Sequence, residues 1–181
     1  VVDPAGFTPE KLELLMDIKN NRRERLSTYA KEAGVTYEEG KRPWHVPVDV
    51  AMPCATQNEL ELDDAKTLIK NGVRCISEGA NMPSTIEAAD AFIEAGVLYA
   101  PGKASNAGGV AVSALEMSQN SERLAWTFEE VDNRLKGIMT NIFQQAKANA
   151  AKYGCPDNLV AGANMTAFVK VADAMLAHGV V

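Results

Sequence analysis

A chain of 181 residues, 46% hydrophobic and 23% charged, is long enough for one domain with a substantial core and too apolar to be disordered. Eighteen Lys and Arg against 24 Asp and Glu leave a net charge of -6, which argues against a general nucleic-acid or membrane-surface binder. Cys54, Cys75 and Cys155 stand far apart with no CxxC or Cys/His ligand spacing, so they argue against a metal site or a disulfide framework and for buried free thiols in a reducing cytoplasm. No apolar run of membrane length and no signal peptide is evident, and the opening Val1-Val2-Asp3-Pro4, without Met, reads as a cut terminus.

Thr8 followed by Pro9 predicts a helix start, and the helix is expected to run to Gly34 with Leu12, Leu15, Met16, Leu26, Tyr29 and Ala30 on a buried stripe. Lys19, Arg22 and Arg25, spaced by three, would lie along one slowly rotating face, either as a solvated basic face or converging on one anion. Residues 41 to 47 read as an irregular approach with Trp44 as a packing anchor and His45 at the surface or structural. A short strand, Val48 to Met52, then ends in Pro53-Cys54-Ala55-Thr56-Gln57-Asn58. Asp63 and Asp64 open a helix closing at Gly72; Val73 to Ser77 is a second strand, ending in Glu78-Gly79-Ala80-Asn81-Met82-Pro83. Ser84 with Glu87 reads as a capping box for a helix ending at Gly96, and Val97 to Ala100 is a third strand.

That strand delivers the chain into Pro101 to Arg123, where small residues surround Asn106 and Ser113 sits in an apolar segment. It reads as a tight strand-to-helix turn that either admits a ligand or simply packs. Thr127 and Glu130 form a further capping box. Val131, Leu135, Ile138, Met139, Ile142, Phe143, Ala146 and Ala150 then follow the helical period, to a stop at Gly154. Asn164 is expected to cap a last helix carrying Phe168, Val171, Ala172, Met175 and Leu176.

Three strands at intervals of about two dozen residues, each followed by a helix, predict a parallel α/β sheet followed by C-terminal helices. In such a sheet the loops after the strands become neighbours at one edge, where ligands bind. Here they carry Thr56, Gln57 and Asn58; Asn81; and Lys103, Ser105 and Asn106. Amides and hydroxyls without an acid-base pair suit recognition of a planar neutral group such as a carboxamide, or a ribose, and do not suit hydrolysis. The chain has no G-x-G-x-x-G, GxSxG, HExxH or Walker loop.

PCATQNEL (53 to 60), EGANMP (78 to 83), PGKASNAGGVAVSALEMSQNSERL (101 to 124) and GANMTAFVKVADAMLAHGVV (162 to 181) resemble the coenzyme domain and C-terminal helices of hexameric glutamate dehydrogenase, closest to the small bacterial NADP type. The resemblance covers essentially the whole chain. It implies a Rossmann-like sheet, incomplete at its N-terminal side. Residues 1 to 125 would be part of the NAD(P)-binding domain and 126 to 181 helices packing back on it, with the N-terminal substrate domain and glycine fingerprint lying upstream. It further implies oxidative deamination of L-glutamate to 2-oxoglutarate and ammonia with NADP rather than NAD, in a cytoplasmic homohexamer of nitrogen assimilation, with no nucleic-acid or membrane partner. By family role, Ala55, Thr56, Gln57 and Asn81 line the nicotinamide-ribose region, and Asn106 sits between coenzyme and amino acid. Ser113 bonds the substrate's side-chain carboxylate and Val110 packs on its aliphatic part, while Lys19, Arg22 and Arg25 meet the 2′-phosphate. The family's catalytic Lys and Asp have no counterpart here, so the 181-residue chain alone is expected to be inactive. Ala114, where many relatives place Gly, is a small departure. Leucine- or phenylalanine-type dehydrogenases and a non-catalytic α/β interaction module are the alternatives.

Overall fold

The seven polar residues Lys19 to Arg25 decide how the first helix ends. The computed structural model describes residues 1–179, in two compact units divided after His45. In the first unit, Thr8 caps α1 (Pro9–Met16), its hydroxyl accepting from Lys11 N at 3.3 Å, with proline at the first position as expected. The chain then widens into a π-turn, Asp17–Asn21, and breaks: Arg23 is left-handed (φ 57°) and Arg25 is extended, capping α2 (Leu26–Ala33). The expected single helix to Gly34 is therefore two helices. The apolar repeat supplies no buried position between Ile18 and Leu26, so nothing pays the chain to stay helical there. Ile18, Tyr29, Ala30 and Trp44 form this unit's core, and Phe7 stacks on Tyr29 at 6.0 Å. Trp44 is thus the anchor expected of it. His45 is exposed, held by Arg42 O and Glu38.

The second unit carries the sheet. β1 (Val50–Ala51), β2 (Cys75–Ser77) and β3 (Leu98–Ala100) are parallel in that order, with Ala51 beside Ile76 and Ile76 beside Tyr99. The parallel architecture is the one expected, although each strand is shorter than its apolar run. α3 (Leu62–Lys70) and α4 (Ile86–Glu94) are the crossovers, and Gly72 and Gly96, both at positive φ, turn each helix back into the next strand. Thr85, not Ser84, caps α4, accepting from Ala88 N at 3.3 Å; Ser84 is instead buried in the preceding loop. Ile76, Leu60, Leu68, Ala88 and Phe92 are fully buried, and Phe92 stacks on Tyr99, a pair worth about 1 kcal/mol beyond its buried area.

Pro101 to Arg123, expected as a tight turn, is almost wholly helical: α5 (Gly102–Ser105) bends at Asn106 into α6 (Ala107–Glu122). Only helix lets this run of alanines and serines satisfy its own backbone while remaining slim. α7 (Phe128–Lys152) opens on the expected Thr127/Glu130 capping box, with both reciprocal bonds present, and ends at Gly154. α8 (Leu159–His178) is capped by Asn158, whose side chain accepts from Ala161 N at 2.9 Å; Asn164, the expected cap, lies a turn inside the helix. α8 docks on α7 at Gly162, where an added Cβ would lie 2.0 Å from Ala146 O.

Two further expectations need correction. Cys54 is exposed rather than buried, because it sits in the loop after β1 and not in the strand. By length and composition α8 is apolar enough to cross a membrane, contrary to the expectation of no such run; it carries Lys170 and Asp173, docks on α7 at Gly162, and leaves Phe168, Val171, Met175 and Leu176 exposed.

Candidate functional site

The three loops at the carboxyl ends of the strands are joined by backbone and side-chain hydrogen bonds. Gly79 N donates to Pro53 O at 2.9 Å, Asn58 N to Met82 O at 3.0 Å, and Leu60 N to Pro83 O at 3.0 Å, which joins the first loop to the second. Asn58 and Met82, bonded tip to tip, are both left-handed (φ 54° and 50°), a conformation that costs a non-glycine residue about 1 kcal/mol or more and persists only where its surroundings impose it. The second loop joins the third through Glu78 N to Ala100 O (3.1 Å), Ser105 Oγ to Glu78 O (2.5 Å) and Asn106 Nδ2 to Asn81 Oδ1 (2.7 Å).

At the root of this junction lies Glu78, 4% exposed. Its Oε1 accepts from Tyr99 Oη at 2.5 Å and Ser84 N at 3.2 Å, and its Oε2 from Gly102 N at 2.6 Å. Three donors are what a buried carboxylate needs to offset its lost hydration. Burial first, and the neighbouring Glu78 second, push the Tyr99 phenol above its ordinary range. Gly102 admits this geometry because it has no side chain: a Cβ there would meet Ala80 O at 2.7 Å and Glu78 Oε2 at 3.2 Å. A cavity of about 420 Å³ opens beside the junction, lined among others by Asn81, Glu78, Tyr99, Gly102 and Lys103. Lys103 Nζ donates across to Asn164 Oδ1 at 2.6 Å, tying α5 to α8. The sequence offers no motif for Glu78 beyond an acid placed directly after β2, whose central residue Ile76 is fully buried, where a lone carboxylate needs dedicated donors.

The structure brings some of the expected site residues together within the second unit. Asn81 and Asn106 are bonded side chain to side chain. Ala55, Thr56 and Gln57 are exposed on the first loop, where Ala55 N donates to Glu59 Oε1 at 2.7 Å. Asn106, Val110 and Ser113 are spaced four and three along the helix, so they share one face of α6, with Val110 and Ser113 open to solvent. Ser105, expected to offer a hydroxyl at the edge, spends it on Glu78 O. Lys19, Arg22 and Arg25 lie in the first unit and do not share a helix face, because of the π-turn and the break. Arg22 holds Glu32 through both terminal nitrogens (2.8 and 3.0 Å) and Asp17 through Nε at 3.0 Å, while Lys19 Nζ donates to Glu24 O at 3.3 Å. The Arg22 guanidinium pulls the Glu32 carboxyl below its usual range.

A family profile described as Glutamate/Leucine/Phenylalanine/Valine dehydrogenase matches residues 1–179. NADP-specific glutamate dehydrogenases from Salmonella typhi and Haemophilus influenzae are each 60% identical over essentially this whole chain. The chain spans 40% of the length of these curated relatives. Among solved structures, Plasmodium falciparum glutamate dehydrogenase 2 superposes with a TM-score of 0.92 at 49% identity, over 98% of this chain and 39% of that one. Matched along all but its last two residues, and by close relatives of the same kind, the chain belongs to the glutamate/leucine/phenylalanine/valine dehydrogenase family.

Proposed function

We propose that this chain is the coenzyme-binding part of a glutamate dehydrogenase that reversibly converts L-glutamate and water to 2-oxoglutarate and ammonia, with NADP as the coenzyme. The observation that carries the reading is the Asn81–Asn106 pair where three strand-end loops meet, with Val110 and Ser113 following Asn106 on one face of α6. The names of the 60%-identical relatives support NADP as the coenzyme. The donor set fits it: amides and hydroxyls at the edge are neutral, and they suit a carboxamide and ribose hydroxyls.

In this reading Ala55, Thr56, Gln57 and Asn81 line the nicotinamide-ribose end, and Asn106 faces both coenzyme and amino acid. The Ser113 hydroxyl donates to the substrate's side-chain carboxylate, and Val110 packs on its methylenes. NADP supplies the hydride acceptor; the chain's residues bind and orient. Lys19, Arg22 and Arg25 are assigned to the 2′-phosphate, with Arg22 exchanging its bidentate carboxylate partner, Glu32, for a phosphate. Residues 1–125 are assigned to the NAD(P)-binding domain and 126–181 to helices packing on it, residues 180 and 181 lying outside the described ones. None of the 181 residues is assigned a catalytic role. A cytoplasmic homohexamer serving nitrogen assimilation completes the proposal.

The test is a hybrid enzyme in which this chain replaces the matching segment of the Salmonella typhi relative. It should reduce NADP with glutamate, and Ser113→Ala should raise the glutamate KM about tenfold or more while leaving the NADP KM nearly unchanged. A preference for leucine, or equal effects on both KM values, would sink the assignment. Replacing Arg22 and Arg25 by Ala should raise the KM for NADP far more than that for NAD. Equal effects would return both arginines to a structural role.

A further inference from the structure

We propose that Glu78 is a positioning residue: its buried carboxylate staples the Glu78–Ser84 loop shut and fixes the start of α5, and so sets the Asn81–Asn106 amide pair. The geometry has two arms. One oxygen accepts from Ser84 N, six residues on, so the loop is closed by the side chain of its own first residue, with Asn81 midway between the two ends. The other accepts from Gly102 N, the first residue of α5, whose last turn donates Asn106 N to Gly102 O at 2.8 Å and so carries the constraint to Asn106. Tyr99 Oη, from the middle of the sheet edge, fixes the carboxylate itself.

Only a carboxylate satisfies this arrangement. Two of the three partners are backbone N–H groups, which cannot turn to accept. A glutamine at 78 presents one oxygen and one NH₂. If its oxygen faces Gly102, the NH₂ opposes Ser84 N–H; if its oxygen faces Ser84, the NH₂ opposes Gly102 N–H. Tyr99 can rotate its hydroxyl to accept, but in either orientation one buried backbone donor is orphaned, and one arm of the staple is released. Aspartate keeps the charge and is one methylene too short to span from Gly102 to Ser84.

The effect on coenzyme binding rests on the function proposed above; the effect on the amide pair does not, and the experiment separates the two. In ¹⁵N-labelled full chain, the Asn106 side-chain amide resonances should move in Glu78→Gln toward their positions in Asn81→Ala. Tyr99→Phe, which removes one donor and leaves both backbone arms, should move them less and in the same direction. If Glu78→Gln does not fold, Tyr99→Phe decides. Asn106 resonances unchanged in a folded Glu78→Gln chain, or unchanged in Tyr99→Phe where that variant decides, would overturn the proposal. In parallel, NADPH titration of the hybrid enzyme should show Glu78→Gln binding about tenfold more weakly, and Glu78→Gln combined with Asn81→Ala should bind no more weakly than Asn81→Ala alone. Additive losses would mean that Glu78 does not act through Asn81. A hybrid enzyme blind to NADPH would count against the function, while the amide resonances of the chain would still decide the role of Glu78.

Discussion

Gly162→Ala is the sharpest test of how the two long helices hold together. At this position α8 lies so close to α7 that an added Cβ would stand 2.0 Å from Ala146 O, 2.8 Å from Ala146 C and 3.0 Å from Ala150 Cβ. A carbon-oxygen contact settles at about 3.4 Å, so α8 must withdraw by about 1.4 Å or tilt. The obstructing atoms are two of mid-helix backbone and one alanine methyl, none of which a rotamer change can move. Overpacking of this kind costs toward the upper end of about 1–3 kcal/mol. Alanine's better helix propensity offsets about 1 kcal/mol of that. The net loss of about 2 kcal/mol should lower the unfolding midpoint by about 4–8 °C in a chain of this size, followed by circular dichroism at 222 nm. Gly137, in the exposed middle of α7, supplies the internal control: nothing lies within 4 Å of its added Cβ, so Gly137→Ala should gain about 1 kcal/mol from propensity alone and raise the midpoint. The two substitutions are chemically identical and predicted to have opposite signs. Equal shifts in the same direction would refute the close packing of α7 against α8.

Gly79→Ala should destabilise by about 1 kcal/mol, since its Cβ would stand 2.4 Å from Cys54 Sγ, and adding Cys54→Ala should recover most of that in chemical denaturation; simple additivity would contradict the contact. Tyr99 titrates above the ordinary phenol value of about 10 because it is buried against Glu78. The stability it contributes is therefore whole below about pH 10 and lost as pH rises further, because the unfolded phenol ionises first. Tyr99→Phe should flatten the fall in stability between about pH 10 and pH 11, and an unchanged slope would count against a raised phenol. Asn158→Ala should cost about 1 kcal/mol in thermal unfolding by removing the α8 cap, whereas Asn164→Ala, which only releases Lys103, should cost about half that or less; the reverse order would restore Asn164 as the cap.

The parallel sheet was legible because Val48 to Met52, Val73 to Ser77 and Val97 to Ala100 are apolar runs set between helical patterns, and that order leaves few topologies. The meeting of Asn81 with Asn106 followed from it, since parallel strands present their outgoing loops at one edge. What the sequence concealed is of three kinds. Helix continuity through Lys19 to Arg25 rested on a spacing rule, and the rule fails where no buried position enforces the period. Capping was misplaced at Ser84 and Asn164, because several competent residues stand within reach of each helix start and packing chooses among them: Ser84 goes to the buried loop, Asn164 to Lys103. The role of Glu78 depends on a tyrosine and two backbone amides brought in from up to 24 residues away, and no local pattern encodes that convergence.

The most direct measurement is NADPH titration of the ¹⁵N-labelled chain. The side-chain amides of Gln57, Asn81 and Asn106 should shift together and saturate along one curve. Shifts confined to the opposite edge of the sheet, around Val48, Arg74 and Val97, or binding that leaves the three amides unmoved, would contradict it.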